Sequence, residues 1–334
     1  MTEPSEPSDP AGPAEPPPPR SFGLTTFTIE GRQAPALFVV GWLAALIGLG
    51  FAGLTLLGIT GLAGAILWIV GLAIGSVGLI LLGGSQTIER RAAGAAYIGP
   101  SPSIVFLTVL AGSQLAGFAV GLPLSLIGAA IPRPVGDLIG GIVQAAVFVG
   151  VLRVMVVAAG SMRWSEMGLV ARSRDAVLGL VRGTIYVVPV IALTAIVAAI
   201  AGQLAGVVPE SPLPPTGTTS GLLLHLLAGA VIAPVSEELL FRGFALTAWR
   251  RRFGARGAII RSSIVFVLAH VLFVGGDGFR EAAALAFVAA TARLPVALVL
   301  GWLYVRTGSL WAPIGLHATY NAVLIILAEA VLAR

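Results

Sequence analysis

From Ala34 to the end of the 334-residue chain, long apolar runs follow one another with only short polar breaks. Many exceed the ~20 residues that a helix needs to cross the ~30 Å hydrocarbon core of a bilayer. A helix also satisfies every backbone N–H and C=O within itself, as lipid requires. Composition agrees: 57% of residues are hydrophobic and 10% are charged, against about a quarter charged in a soluble domain. The expected fold is therefore all-α, a polytopic transmembrane helical bundle. Nine spans are expected, at about 35–58, 61–83, 102–130, 137–160, 181–205, 220–248, 257–275, 282–306 and 310–332. An eight-span count follows if the first two runs merge into a single hairpin. Small residues at helical spacing, Gly71 with Gly75 and Gly136 with Gly140, offer sites for close helix contact.

Residues 1–33 differ in kind. Up to Arg20 they are rich in Pro, Glu and Ser, with too little apolar surface to order themselves. They lack the basic start, apolar core and small-residue cleavage site of a signal peptide. A disordered cytoplasmic tail is expected, followed by an N-terminal transmembrane region of four spans (34–160) and a second transmembrane domain (161–334).

All twenty basic residues are arginine, and there is no cysteine. Disulfides, a thiolate nucleophile and a Cys-ligated metal are therefore excluded. The arginines gather in loops: Arg163, Arg172, Arg174 and Arg182; then Arg250, Arg251, Arg252 and Arg256; then Arg306. The loop around Glu210–Pro215 has none. The positive-inside rule places the first three groups on the cytoplasmic side and the last outside. The net charge of +5 thus reflects topology and not nucleic-acid binding. Arginine without lysine, together with abundant Ala and Gly, suggests a bacterial chain, hence the bacterial cytoplasmic membrane.

Against this apolar background, Pro234-Val-Ser-Glu-Glu-Leu-Leu-Phe-Arg242 places two carboxylates and a guanidinium inside a span. Ionisable groups at membrane depth cost at least a few kcal/mol and mark functional sites by default. Glu238 and Arg242 stand at i,i+4 with the acid first, the favoured order for an intrahelical pair. Glu237, about 100° round the helix, is left available as a base. Two further pairs share the four-residue spacing, Phe266 with His270 and His317 with Asn321. Acid, two imidazoles and an amide from three spans can converge on one cavity. There, a carboxylate and a histidine can activate a water against an amide, and a second His with an Asn can donate to the oxyanion. Alternatively, His270, His317 and Glu237 supply a zinc ligand set, with the remaining Glu as base. His225, without such a companion, reads as an interhelical hydrogen bond.

Taken together, these motifs resemble the CAAX-protease and bacteriocin-processing (CPBP, or Abi) family, which includes the type II CAAX prenyl endopeptidases. The family signature is Glu-Glu-x-x-x-Arg, Phe-x-x-x-His and His-x-x-x-Asn on separate membrane helices. All three are complete here, as Glu237-Glu238-x-x-x-Arg242, Phe266-x-x-x-His270 and His317-x-x-x-Asn321. Trp164-Ser-Glu-Met-Gly-Leu169 looks like the lead-in of bacterial members, so the resemblance covers about 160–332. It implies a membrane endopeptidase acting on a peptide or protein substrate, lipid-modified in the eukaryotic relatives. It also implies Glu237 as base, His270 as its partner on the water, and His317 with Asn321 as the oxyanion site. Glu238, Arg242 and Phe266 would be supporting. The family is usually described as metalloproteases, while the eukaryotic-type members fit a glutamate-activated water better. Two rival readings are a non-catalytic membrane immunity or scaffold protein that uses the cluster structurally, and a transporter with a Glu/His proton relay. The second lacks any visible inverted repeat.

Overall fold

The apolar runs coil into helices. A computed structural model describes residues 31–128, 130–169, 173–207 and 214–332, and among them there are helices and no strands. The helices are α1 (Pro35–Leu56), α2 (Gly61–Ala92), α3 (Pro102–Leu126), α4 (Arg133–Leu152), α5 (Ser173–Thr184), α6 (Val187–Ala205), α7 (Thr219–Leu226), α8 (Ala233–Glu238), α9 (Thr247–Val271), α10 (Phe279–Thr307) and α11 (Trp311–Leu332). The Pro-rich stretch to Glu30, most of the Glu210–Pro215 loop and Arg172 lie outside the described residues.

Among the described residues, eight helical stretches are long and apolar enough to cross a bilayer. The sixth, Thr219–Val271, is 53 residues long, or ~80 Å at 1.5 Å per residue. It is not straight. Gly254 breaks the helix at φ 68° and ψ −179°, a left-handed region that only glycine enters cheaply. Beyond it the chain returns antiparallel: Ser262 Oγ donates to the Phe241 carbonyl (2.8 Å), and the rings of Phe241 and Phe266 lie 5.3 Å apart. The expected sixth and seventh spans are thus the two arms of one hairpin, which reconciles nine runs with eight continuous stretches.

Two local readings change. Part of the expected loop from Met162 to Arg182 is helical, because Ser173–Thr184 forms α5, which packs on α11. Of the two glycine pairs, one is a contact. A Cβ on Gly71 would lie 2.7 Å from the Gly48 carbonyl, so α1 and α2 meet there backbone to backbone, whereas one on Gly136 would touch only the Ile131 side chain (4.0 Å) and one on Gly140 would meet nothing within 4 Å. Replacing Gly71 with leucine should therefore part the α1–α2 hairpin and lower the thermal unfolding midpoint. The same change at Gly140 should leave the midpoint in place.

The arginine-bearing segments meet at one end of the bundle. Arg91 Nη2 donates to the Ala159 carbonyl (2.9 Å), Arg251 pairs with Glu166 (2.6 Å), and Leu310 N donates to the Gly168 carbonyl (3.0 Å). Glu166 also accepts from Arg163 N at 2.7 Å. That backbone bond, helped by Arg251, holds its carboxyl below the usual range against a smaller opposing effect of burial. At the opposite end, Glu329 accepts from Thr216 N (2.8 Å). His225 Nε2 meets Asp137 (3.2 Å), the interhelical bond its isolation implied.

The core is built around one helix. Every residue from Ser236 to Leu246 is buried. Phe106, Phe148 and Leu152 of α3 and α4 share this core with Leu240, Phe241, Phe244 and Phe266. The outward faces are apolar too, as with Leu49, Val188 and Leu204. That is how a bundle meets acyl chains and not water.

Candidate active site

Proline shapes the helix that carries the carboxylates. Pro234 has no N–H and its ring crowds the preceding turn, so one i→i−4 hydrogen bond of a regular helix is lost there. The chain is π-helical at Leu227–Ile232, resumes α-helical register at Ala233–Glu238, and turns π-helical again at Leu239–Leu246. Glu237 and Glu238 sit between the two wider segments, a setting that recurs at functional sites.

Glu238 and Arg242 are fully buried. Arg242 Nη1 donates to Glu238 Oε1 (3.0 Å), and Nη2 donates to the Ala297 carbonyl of α10 (3.2 Å). The guanidinium also lies 4.4 Å from the centre of the Phe266 ring on α9. The same Glu238 Oε1 accepts from His317 Nδ1 of α11 (2.8 Å). One ion pair therefore ties four helical segments together. Phe266 spaces them: its ring centre is 4.5 Å from the His270 imidazole and 5.7 Å from that of His317.

These bonds also settle both imidazole tautomers. His270 Nδ1 lies 2.8 Å from the Phe266 carbonyl, an oxygen that only accepts, so Nδ1 carries the hydrogen. His317 Nδ1 donates to the carboxylate of Glu238 on the same logic. In the neutral rings both Nε2 atoms are then bare acceptors. They face one oxygen, Glu237 Oε2, at 3.7 Å from His270 and 3.9 Å from His317. Glu237 Oε2 is itself buried with no hydrogen-bond partner. Three acceptors thus surround one gap without a donor among them, at separations too long for direct hydrogen bonds. A donor such as water can serve two of them at once.

The same trio is the expected metal set. Its donor types suit zinc. However, no group of three or more His, Asp or Glu side chains among the described residues is arranged to hold a metal ion. As placed, the residues do not close around one, and no step below runs through a metal.

Glu237, His270 and His317 are therefore brought together. Asn321 is one turn beyond His317 on α11, and its Nδ2 donates to the Gly229 carbonyl of the first π-helical segment (2.8 Å). A cavity of about 320 Å³ opens from Glu237 and His270 between α3, α4 and α9. Phe106 and Gln114 of α3 and Gln144 and Phe148 of α4 wall it. The sequence reading assigned these helices no part in the site. The only signal they gave was an amide in the middle of an apolar run. Arg293 of α10 was also passed over, although it is an arginine at membrane depth. It lies in the electrostatic field of Glu237 and His270, with Nη1 donating to the Ala289 carbonyl (3.1 Å).

Residues 219–323 match the family model of the type II CAAX prenyl endopeptidases, Rce1-like. The match is slightly under a third of the chain and contains all three motifs. It begins at α7, so the Trp164 lead-in, α5 and α6 lie outside it. No curated protein and no solved structure gives a significant match. The helices that carry the site are thus similar to CAAX-type membrane proteases.

Proposed function

We propose that this protein is an integral-membrane endopeptidase in which Glu237 and the two histidines turn a water molecule on a peptide carbonyl. The observation that carries the reading is the donor-free gap between Glu237 Oε2 and the two Nε2 atoms, in a segment with a family likeness to membrane proteases.

In this mechanism a water donates one hydrogen to Glu237 Oε2 and the other to an Nε2. Glu237 takes a proton as the water oxygen bonds to the carbonyl carbon, and the carbonyl electrons move onto the oxyanion. The hydrogen that stays on the attacking oxygen still points at an Nε2, which keeps that oxygen in line, and the oxyanion is left to a side-chain N–H donor. The Asn321 amide has a second N–H for the same task, since only one is needed by Gly229. Collapse of the oxyanion breaks the C–N bond, and the proton held by Glu237 passes to the leaving amine. Glu238 keeps His317 in the right tautomer and orientation, and Arg242 holds Glu238 in place. Gln114 and Gln144 offer amide donors and acceptors to an extended substrate backbone entering between α3 and α4.

The protein, reconstituted in liposomes, is to be given peptides with and without a lipid-modified C-terminal cysteine, and new termini read by mass spectrometry. Cleavage of either class that disappears in His270→Ala supports the reading. Intact peptides with folded wild-type protein, or undiminished cleavage by folded His270→Ala, overturn it. Cleavage should withstand a strong zinc chelator. Loss under chelation, restored by added zinc, would hand the gap to a metal.

A further inference from the structure

A second polar cavity lies at the arginine-rich end, away from Glu237. It measures about 520 Å³ and forms where the end of α2 and the start of α3 meet the hairpin turn into α9. Three guanidiniums line it: Arg90 from α2, and Arg252 and Arg261 from α9. None of the three pairs with a carboxylate among the described residues. Arg90 Nη1 donates to the Gly99 carbonyl (2.6 Å), Arg261 Nη1 donates to the Gly257 carbonyl (3.1 Å), and Arg252 and Arg261 lie over the Phe253 ring. Among the described residues, no Asp or Glu lines the cavity. Its one weakly acidic wall residue, Tyr97, is pushed up by burial and stays a neutral phenol. Three like charges therefore share a concave wall on which no described residue neutralises them.

The rest of the wall narrows the choice of anion. Trp249, Ile264 and Val265 make it apolar on one side, and Ile264 is half exposed on a helix that crosses the membrane. The cavity is cationic toward the polar end and open to acyl chains beside it. By the positive-inside rule this end faces the cytoplasm, where anionic lipids concentrate. We infer that this cavity binds a phosphate group, with Arg90, Arg252 and Arg261 as its ligands, carried by an anionic lipid headgroup whose chains lie along Ile264. A free phosphate is the other source of the same chemistry.

The test uses the full-length protein in detergent, titrated separately with phosphatidylglycerol, phosphatidylcholine and inorganic phosphate, with bound molecules counted by native mass spectrometry. Wild type should hold phosphatidylglycerol at least tenfold more tightly than phosphatidylcholine. The Arg252→Gln/Arg261→Gln double variant should lose that preference. Arg256→Gln/Arg306→Gln removes the same charge outside the cavity and should keep it. Inorganic phosphate that displaces phosphatidylglycerol at equal concentration supports the phosphate site and assigns it to a soluble ligand. Equal retention of both lipids by wild type, or equal loss in the two double variants, overturns the proposal. If the first double variant does not fold, Arg252→Gln alone, on an exposed side chain, carries the same comparison. None of these readouts depends on peptide cleavage, so the site and the protease reading stand or fall separately.

Discussion

Glu237→Gln should cut peptide hydrolysis by about 10²–10⁴-fold, the range for losing a positioned general base, while the protein remains folded. Glutamine has the shape of glutamate and fits the same buried position between the π-helical segments. What changes is the chemistry of the gap. A carboxylate oxygen facing two Nε2 acceptors needs a donor between them, whereas a carboxamide N–H is itself a donor and can bond an Nε2 once the side chain closes the last ~0.5 Å. The substitution therefore removes the base and satisfies the acceptors that hold the water. Initial rates on the peptide found by the liposome assay, together with the thermal unfolding midpoint, separate the two consequences. An unchanged midpoint with lost cleavage supports Glu237 as base. An unchanged rate would leave the cluster with a structural role only, as the non-catalytic reading requires.

Arg242→Ala should destabilise the fold by about 3–5 kcal/mol, the cost of stranding a buried charge. The guanidinium binds Glu238 beside it and the Ala297 carbonyl of α10, and it covers the Phe266 ring of α9. Its loss leaves Glu238 buried with His317 alone, so α8, α9, α10 and α11 lose their common tie. Little folded protein should be recovered, and what remains should unfold at much lower temperature. Removing both charges, as in Glu238→Gln/Arg242→Met, should restore much of the stability, because a neutral pair replaces a buried ion pair at small net cost. It should not restore cleavage, since His317 no longer donates to a carboxylate. Recovery of both stability and cleavage in that double variant would show that Glu238 does not position the imidazole.

Residue order alone sets the material and the register. Runs of about twenty apolar residues leave a chain few options other than membrane helices, because lipid cannot solvate a free backbone. Four-residue spacing placed Glu238 over Arg242, and His317 on the same face as Asn321, because helix geometry is local. The arginine clusters foretold which loops gather at one end. It could not say that Gly254 folds one stretch into a hairpin, or that Gly71 packs while Gly140 does not. Both depend on which partner helix arrives. The same holds for the gap itself. Glu237 and His317 are 80 positions apart, and their meeting at 3.9 Å is fixed by Arg242, Phe266 and the Ala297 carbonyl holding four segments at one depth. The cavity wall contributed by α3 and α4 was likewise decided only in three dimensions. An isolated glutamine in an apolar run states that it needs a partner, and only packing says which cavity it faces.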